Sequence, residues 1–267
     1  MDILSYEFMQ RAFLAGLIAA IICPLVGIFM VLRKQSLLGD GLGHIAFAGV
    51  TGASFFQIAP PIGAVVLTVS ASMGIEWIRR RQSQYTDMIL ALFFYAGLAM
   101  AVIFSSMSKI PSTGLMSFLF GSILTVTDQD ILNIAVAAAI AMAVLLYYFP
   151  RLLITSFDEE IATVAGVKVN QVNMAFAVLV ALVVVIGMAV VGILLISALM
   201  IIPVATAHLL GKGFKQTLLA SVVYSVLSVV GGLILSFQAD IAPGGTIVML
   251  AIVFYVITFL AQLVEKS

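Results

Sequence analysis

Residues 12–32 read AFLAGLIAAIICPLVGIFMVL, an uncharged apolar run that ends at Arg33 and Lys34. A helix needs about 20 consecutive apolar residues to cross a hydrocarbon core about 30 Å thick, and this run is long enough. It is also too long for the apolar core of a signal peptide. We therefore interpret it as a retained membrane-spanning helix.

The rest of the chain has the same apolar character. Of its 267 residues, 63% are hydrophobic and only 9% are charged, and the mean hydropathy is +1.25. Soluble domains have about a quarter of their residues charged, so a water-soluble fold is excluded. Comparable apolar segments lie at about 12–32, 38–59, 61–78, 88–106, 130–149, 171–190, 192–210, 216–236 and 245–263. We predict an all-α, polytopic membrane protein with eight to nine transmembrane helices in a single domain, residues 1–267.

A shorter apolar segment separates the fourth and fifth of these spans. Residues 114–126, GLMSFLFGSILTV, are too few to cross the membrane unaided, which favours a re-entrant or broken helix. If this segment does not cross, alternation of the spans places ten of the 12 Lys and Arg residues on one side and only Arg11 and Lys109 on the other. Because positive residues are retained in the cytoplasm, we predict an external N-terminus and a cytoplasmic C-terminus.

The sequence lacks the features of a nucleic-acid-binding protein or an enzyme. The formal net charge is zero and no tail is rich in Lys or Arg, so nucleic acid is not an expected partner. Cys23 is the only cysteine, so no intrachain disulfide can form. The motifs G-x-S-x-G, H-E-x-x-H and G-x-x-x-x-G-K-[ST] are all missing. We expect a protein without catalytic activity that does not hydrolyse ATP by itself.

The second span opens with two ionisable residues. Residues 39–44 read GDGLGH, so Asp40 and His44 are four residues apart and share one helix face. Ionisable groups at membrane depth are costly in lipid and usually mark a substrate or ion route. A carboxylate and an imidazole are two ligands that suit zinc or manganese. This pair is the candidate metal site.

Two ligands do not complete a metal site. A second copy of the chain, related by a twofold axis along a pore, would supply two Asp and two His from the same helix face. The spacing of Gly39 with Gly43 and of Gly49 with Ala53 permits the close helix approach that a shared site requires. In the alternative interpretation, Asp40 is the N-cap of the helix and His44 is a buried, hydrogen-bonded histidine.

One connection on the predicted cytoplasmic side has a helical pattern. Residues 151–170 read RLLITSFDEEIATVAGVKVN, where Ser156 and Glu159 have the spacing of a capping box and Gly166 is a suitable helix end. Three acidic residues open this helix: Asp158, Glu159 and Glu160. The segment is either a short helix that docks into a soluble partner or an ordinary amphipathic loop.

The seventh span, residues 192–210, contains Pro203. Proline cannot donate its backbone hydrogen bond, so we expect a kink or break there, with Ser197 and Thr206 helping to satisfy the freed groups. The kink either serves as a gate or has no special role, since proline is common in membrane helices generally. For His208, a hydrogen bond at the helix end is favoured over metal ligation, because no acidic residue lies at ligand spacing.

Four stretches of this chain resemble the membrane permeases of ABC-type zinc and manganese importers, the ABC-3 family. They are VLRKQSLLGDGLGHIAFAGV at 31–50, LFGSILTVTDQD at 119–130, SFDEEIATVAGVKV at 156–169 and VGILLISALMIIPVATAHLL at 191–210. They occur in the order of the family, and the resemblance extends over nearly the whole chain.

The resemblance implies a type II ABC importer in the plasma membrane of a prokaryote. Its expected partners are a second permease copy, two cytoplasmic ATPase subunits and an external metal-binding protein. Asp40 and His44 become the pore ligands of the transported Zn²⁺ or Mn²⁺, with zinc favoured and no permanently bound cofactor. The coupling helix corresponds to Phe157, Asp158, Glu159, Glu160 and the residues up to Gly166.

The sequence departs from the family pattern in one place. Some members carry a histidine in the fourth span, where this chain reads LALFFYAGLAMAVIF at 90–104, so a second pore site there is in doubt. Other functions also stay open. They are a permease for an iron chelate or cobalamin, which would need no ligand pair; a passive channel, which would need no docking helix; and an intramembrane enzyme.

Overall fold

The computed structural model describes residues 6–107, 119, 121 and 127–266, and every regular element in them is helical. The helices are α1 Glu7–Leu32, α2 Leu37–Phe55, α3 Pro60–Arg81, α4 Thr86–Met107, α5 Asp128–Phe157, α6 Glu159–Val164, α7 Val169–Val191, α8 Ile193–Leu209, α9 Phe214–Ala239 and α10 Pro243–Lys266. One turn of 3₁₀ helix, Ser83–Tyr85, precedes α4. The all-α prediction is confirmed.

Among the described residues, seven helices are long and apolar enough to cross a membrane: α1, α3, α4, α5, α7, α9 and α10. The other two predicted spans correspond to α2 and to the shorter apolar helix α8. A multi-span membrane protein is therefore confirmed, and the number of eight to nine spans stays a prediction. The predicted re-entrant segment 114–126 lies outside the described residues apart from Leu119 and Gly121.

Helix α2 lies at the centre of the bundle and packs against α3, α4, α7 and α8. Glycines make these approaches possible. A Cβ on Gly49 would collide with the carbonyl oxygen of Gly63 in α3, and a Cβ on Gly97 of α4 would lie 2.7 Å from Ile45 Cγ1. Backbones can approach this closely only where a side chain is missing.

The small residues of α2 do approach other helices closely, but these helices belong to the same chain. Gly39 faces Ser197 and Gly43 faces Ile193, both in α8, while Ala53 contacts Gly63 of α3. The interpretation that this spacing serves contact with a second copy is therefore wrong. The glycine positions are occupied by intrachain packing, and a different face of α2 stays open.

A kink or break was predicted at Pro203, and no break is observed there. Helix α8 runs without interruption from Ile193 to Leu209, and Thr206 Oγ1 donates to the carbonyl of Ile202 at 2.8 Å. The boundary between α7 and α8 is at Gly192, whose φ of 89° suits glycine. A gating role of Pro203 stays a prediction.

Candidate functional site

Asp40 and His44 stand out by their exposure on an otherwise buried helix. From Leu38 to Ala53, every residue of α2 is buried except these two. Residues four apart lie above one another on a helix. Asp40 and His44, the two ionisable residues of α2, therefore form a single open stripe on a helix that is otherwise buried from Leu38 to Ala53.

Asp40 is held in place by α8. The hydroxyl of Ser197, which is buried, donates a hydrogen bond to Asp40 Oδ1. Among the described residues, no other side chain bonds this carboxylate, so Oδ2 is left for another partner. The alternative in which Asp40 caps the helix is wrong, because the N-cap position is Ser36 and Asp40 lies inside the first turn.

His44 lies against α4. Its ring makes an edge contact with Phe94, with ring centroids 4.7 Å apart and planes at 82°. Its Nδ1 is buried and has no hydrogen-bond partner within the described ranges 6–107 and 127–266. The alternative of a satisfied core histidine does not fit this geometry. Neutral imidazole is the commonest metal-binding side chain in proteins.

A single copy of the chain provides an incomplete site. No cluster of three or more His, Cys, Asp or Glu side chains suited to a metal ion is found in the part of the chain that the structure describes. A closed structural zinc site uses four protein ligands. An ion at Asp40 and His44 therefore needs further ligands besides the His, Cys, Asp and Glu side chains of the described residues.

The second histidine does not join this pair. His208 is exposed near the end of α8 and lines a surface pocket of about 340 Å³ together with Lys34 and Lys212. Its backbone carbonyl accepts a hydrogen bond from Gly211 at 3.1 Å. A pocket with two lysines in its wall repels a cation. That His208 is not a metal ligand stays a prediction.

The short helix α6 exists, but it begins differently from the prediction. Asp158 is the N-cap, and its carboxylate accepts hydrogen bonds from the amides of Glu160 and Ile161 at 2.8 and 2.9 Å. The predicted capping box of Ser156 and Glu159 is wrong, because α5 continues to Phe157 and encloses Ser156. Its end is as predicted: Gly166 has a φ of 78° and closes the helix.

An apolar stripe on this segment was missed in the sequence. Phe157, Ile161 and Val164 are 66%, 63% and 89% exposed. The spacing of three residues places Ile161 and Val164 on one side of α6, and Phe157 is the last residue of α5. The same spacing is visible in the sequence and could have revealed the stripe. Glu159 has a different role, since its carboxylate accepts from Asn173 of α7 at 3.0 Å.

The fold and the site together define a polytopic α-helical membrane protein with a carboxylate–imidazole pair on its central helix. The model of the family described as "ABC 3 transport family" matches residues 5–262. The chain therefore belongs to the ABC 3 transport family. The resemblance inferred from four short stretches is confirmed, and with it the class of multi-span permease.

Two named relatives align with almost the whole chain. The chain is 30% identical over 253 residues to the high-affinity zinc uptake system membrane protein ZnuB of Haemophilus influenzae, with 95% of this chain and 97% of that protein covered. It is 35% identical over 256 residues to the manganese import system permease protein ScaB of Streptococcus parasanguinis, with 96% and 91% covered.

A solved structure has the same fold. The structure described as PsaBC from Streptococcus pneumoniae in complex with Fab superposes with a TM-score of 0.86 at 32% identity, and it covers 96% of this chain and 92% of that one. The names of the two relatives above specify different ions, zinc for ZnuB and manganese for ScaB. The metal therefore has to be argued from the site.

Proposed function

We propose that this chain is the permease subunit of an ATP-driven importer for a divalent metal ion, with zinc the favoured cargo and manganese the second. The observation that carries the proposal is the open stripe of α2, on which Asp40 and His44 are the two residues that escape burial between Leu38 and Ala53. Membrane proteins rarely retain such groups unless they contact an ion or a substrate.

Two copies of the permease form the pathway in this proposal. A twofold axis beside the open stripe brings together two carboxylates and two imidazoles, which is enough for one zinc ion. Imidazole is a preferred ligand of zinc, whereas harder cations such as manganese prefer oxygen ligands. The two imidazoles are the reason for favouring zinc. Two ligands per chain also permit release of the ion when the copies move apart.

The energy source is assigned to separate proteins. We place ATP hydrolysis on two cytoplasmic ATPase subunits, because the chain has no phosphate-binding loop. The segment from Phe157 to Gly166 contacts them as a coupling helix, with its apolar stripe as the docking face. An external metal-binding protein delivers the ion, and the N-terminus of the permease is external in a prokaryotic plasma membrane.

The alternative cargo is an iron chelate or cobalamin. A permease for such a ligand needs a wide cavity and no metal ligands of its own. Because Asp40 and His44 would then have no reason to share the one open stripe of α2, the free ion is the better-supported cargo.

Uptake of radiolabelled zinc and manganese tests the proposal. The permease, expressed with its ATPase and binding protein in a strain that lacks its own importers, is expected to restore zinc uptake and zinc-limited growth. Manganese should enter more slowly at equal concentration, because an imidazole-containing site favours zinc. Uptake of neither ion would overturn the proposal, and faster manganese entry would reverse the choice of cargo.

Ser197 offers a finer test of the carboxylate. We expect Ser197→Ala to raise the zinc concentration needed for half-maximal uptake about tenfold, because partners that orient a metal ligand contribute about 10- to 100-fold to affinity. Ser225→Ala is the matched control, since this buried serine of α9 has no hydrogen-bond partner among the described residues. An unchanged half-maximal concentration in Ser197→Ala would show that the hydrogen bond to Asp40 does not matter.

A further inference from the structure

A group of polar side chains connects α6 with the turn that precedes α2. Arg33, the residue directly after α1, donates from Nε to Ser156 Oγ at 2.8 Å and from Nη1 to Asn173 Oδ1 at 2.8 Å. Ser156 lies three residues before the start of α6, and Asn173, 3% exposed, is in α7. A single guanidinium therefore bridges three helices.

The contacts continue from Asn173 into α6 and α3. Asn173 Nδ2 donates to Glu159 Oε1 at 3.0 Å, and this carboxylate oxygen lies 3.6 Å from Arg79 Nη2. Arg79 in turn makes two hydrogen bonds to the buried Glu76, at 2.8 and 3.0 Å. We call this group the Arg33 network: Arg33, Ser156, Asn173, Glu159, Arg79 and Glu76.

The position of Arg33 gives the network a direct connection to the candidate metal site. Four residues, 33–36, join α1 to α2, and Asp40 lies in the first turn of α2. The connection is tight: Lys34 has a φ of 55°, and the amide of Gln35 donates to the carbonyl of Met30 at 2.9 Å. Because this connection is short and hydrogen-bonded, a displacement of Arg33 also displaces the start of α2.

The guanidinium of Arg33 packs over the ring of Phe176, 4.5 Å from its centroid, but its burial is costly. Burial lowers the pKa of Arg33 to about 10, although the negative charge of Glu159 raises it, so the guanidinium is still charged at neutral pH. Its Nη2 has no hydrogen-bond partner among the described residues. Replacing buried ionic groups by apolar side chains is often neutral or stabilising, so a buried, incompletely paired cation suggests a role other than stability.

We infer that Arg33 is a positioning residue that transmits movement of α6 to the start of α2, and hence to Asp40 and His44. The inference rests on the proposed function, in which α6 is displaced by the ATPase subunits. Movement of Glu159 pulls on Asn173 and Arg79, and Arg33 is bonded both to Asn173 and to the end of α5. The network thus gives the ATPase a rigid connection to the helix that carries the ligands.

The experiment measures zinc ions transported per ATP hydrolysed, in proteoliposomes that contain the complete complex. Arg33→Ala is expected to retain ATP hydrolysis and to lower this ratio about tenfold, within the range of effects that residues between coupled sites produce. Arg33→Lys should also lower it, because an ammonium cannot reproduce two fixed N–H directions. Arg151→Ala is the control: this exposed arginine of α5 contacts the rings of Tyr147 and Tyr148, and its ratio should not change.

A second variant decides the matter if Arg33→Ala does not assemble. The side chain of Glu159 is 49% exposed, so Glu159→Ala leaves no cavity, yet it removes the contacts to Asn173 and Arg79. It should lower the transport ratio, whereas Asp87→Ala, an exposed acidic residue at the start of α4, should not.

The outcomes separate the network from the proposed function. Equal loss of hydrolysis and transport in the Arg33 and Glu159 variants, or an unchanged ratio in both, would overturn the inference. A wild-type complex that transports neither zinc nor manganese would overturn the proposed function instead.

Discussion

Replacing His44 by alanine is expected to abolish zinc uptake while the permease still assembles with its ATPase. In a site shared by two copies, the substitution removes two of four protein ligands. Residues that merely orient a ligand contribute about 10- to 100-fold to metal affinity, so loss of the ligand itself should reduce uptake by more than about 100-fold. The measurements are zinc-limited growth, uptake of radiolabelled zinc and co-purification of the ATPase.

The chain contains its own control for this experiment. Its other histidine, His208, is exposed near the end of α8, so His208→Ala should take up zinc normally. Asp40→Asn adds a test of charge, since the amide oxygen can still accept the hydrogen bond from Ser197. We expect uptake to be lost there too. Normal uptake by His44→Ala would remove the pair from the mechanism.

Replacing Ile161 by aspartate is expected to prevent the permease from binding its ATPase. Ile161 lies in the middle of the exposed stripe between Phe157 and Val164. Docking would bury a carboxylate without a partner, and an unpaired charge that leaves water costs several kcal/mol. Co-purification of the ATPase from detergent, together with the ATP hydrolysis of the purified complex, measures the effect.

A matched substitution distinguishes loss of docking from a general effect of charge. Val264, 77% exposed near the end of α10, lies at the same predicted face of the membrane but outside α6. Val264→Asp should bind the ATPase as the wild type does, and both variants should reach the membrane in equal amounts. Retention of the ATPase by Ile161→Asp would show that the stripe is not the docking face.

Much of the fold could be predicted because membrane helices are marked locally. The apolar runs, their length and the charged residues between them are properties of consecutive residues, and they correspond to the helices observed. The pairing of Asp40 with His44 was also predictable, since a spacing of four residues fixes a shared face in any helix. The end of α6 at Gly166 followed from the same kind of local rule.

Local rules were wrong where neighbouring elements decided the outcome. Ser156 and Glu159 had the spacing of a capping box, but α5 continued through Ser156 and left Asp158 to cap α6. A kink or break was expected at Pro203, yet α8 continues through this residue without a break. At Ser156 the capping preference of one residue is overridden because α5 extends past it.

The sequence alone established a polytopic helical membrane protein, its family and the two ligand candidates, because each depends on short patterns of residue type. The tertiary structure decided which face of α2 is open, which helices its glycines contact, and which residues hold the functional ones. Ser197 lies 157 residues from Asp40 and Asn173 lies 140 from Arg33. Contacts over such separations depend on how the helices pack, so no spacing in the sequence could reveal them.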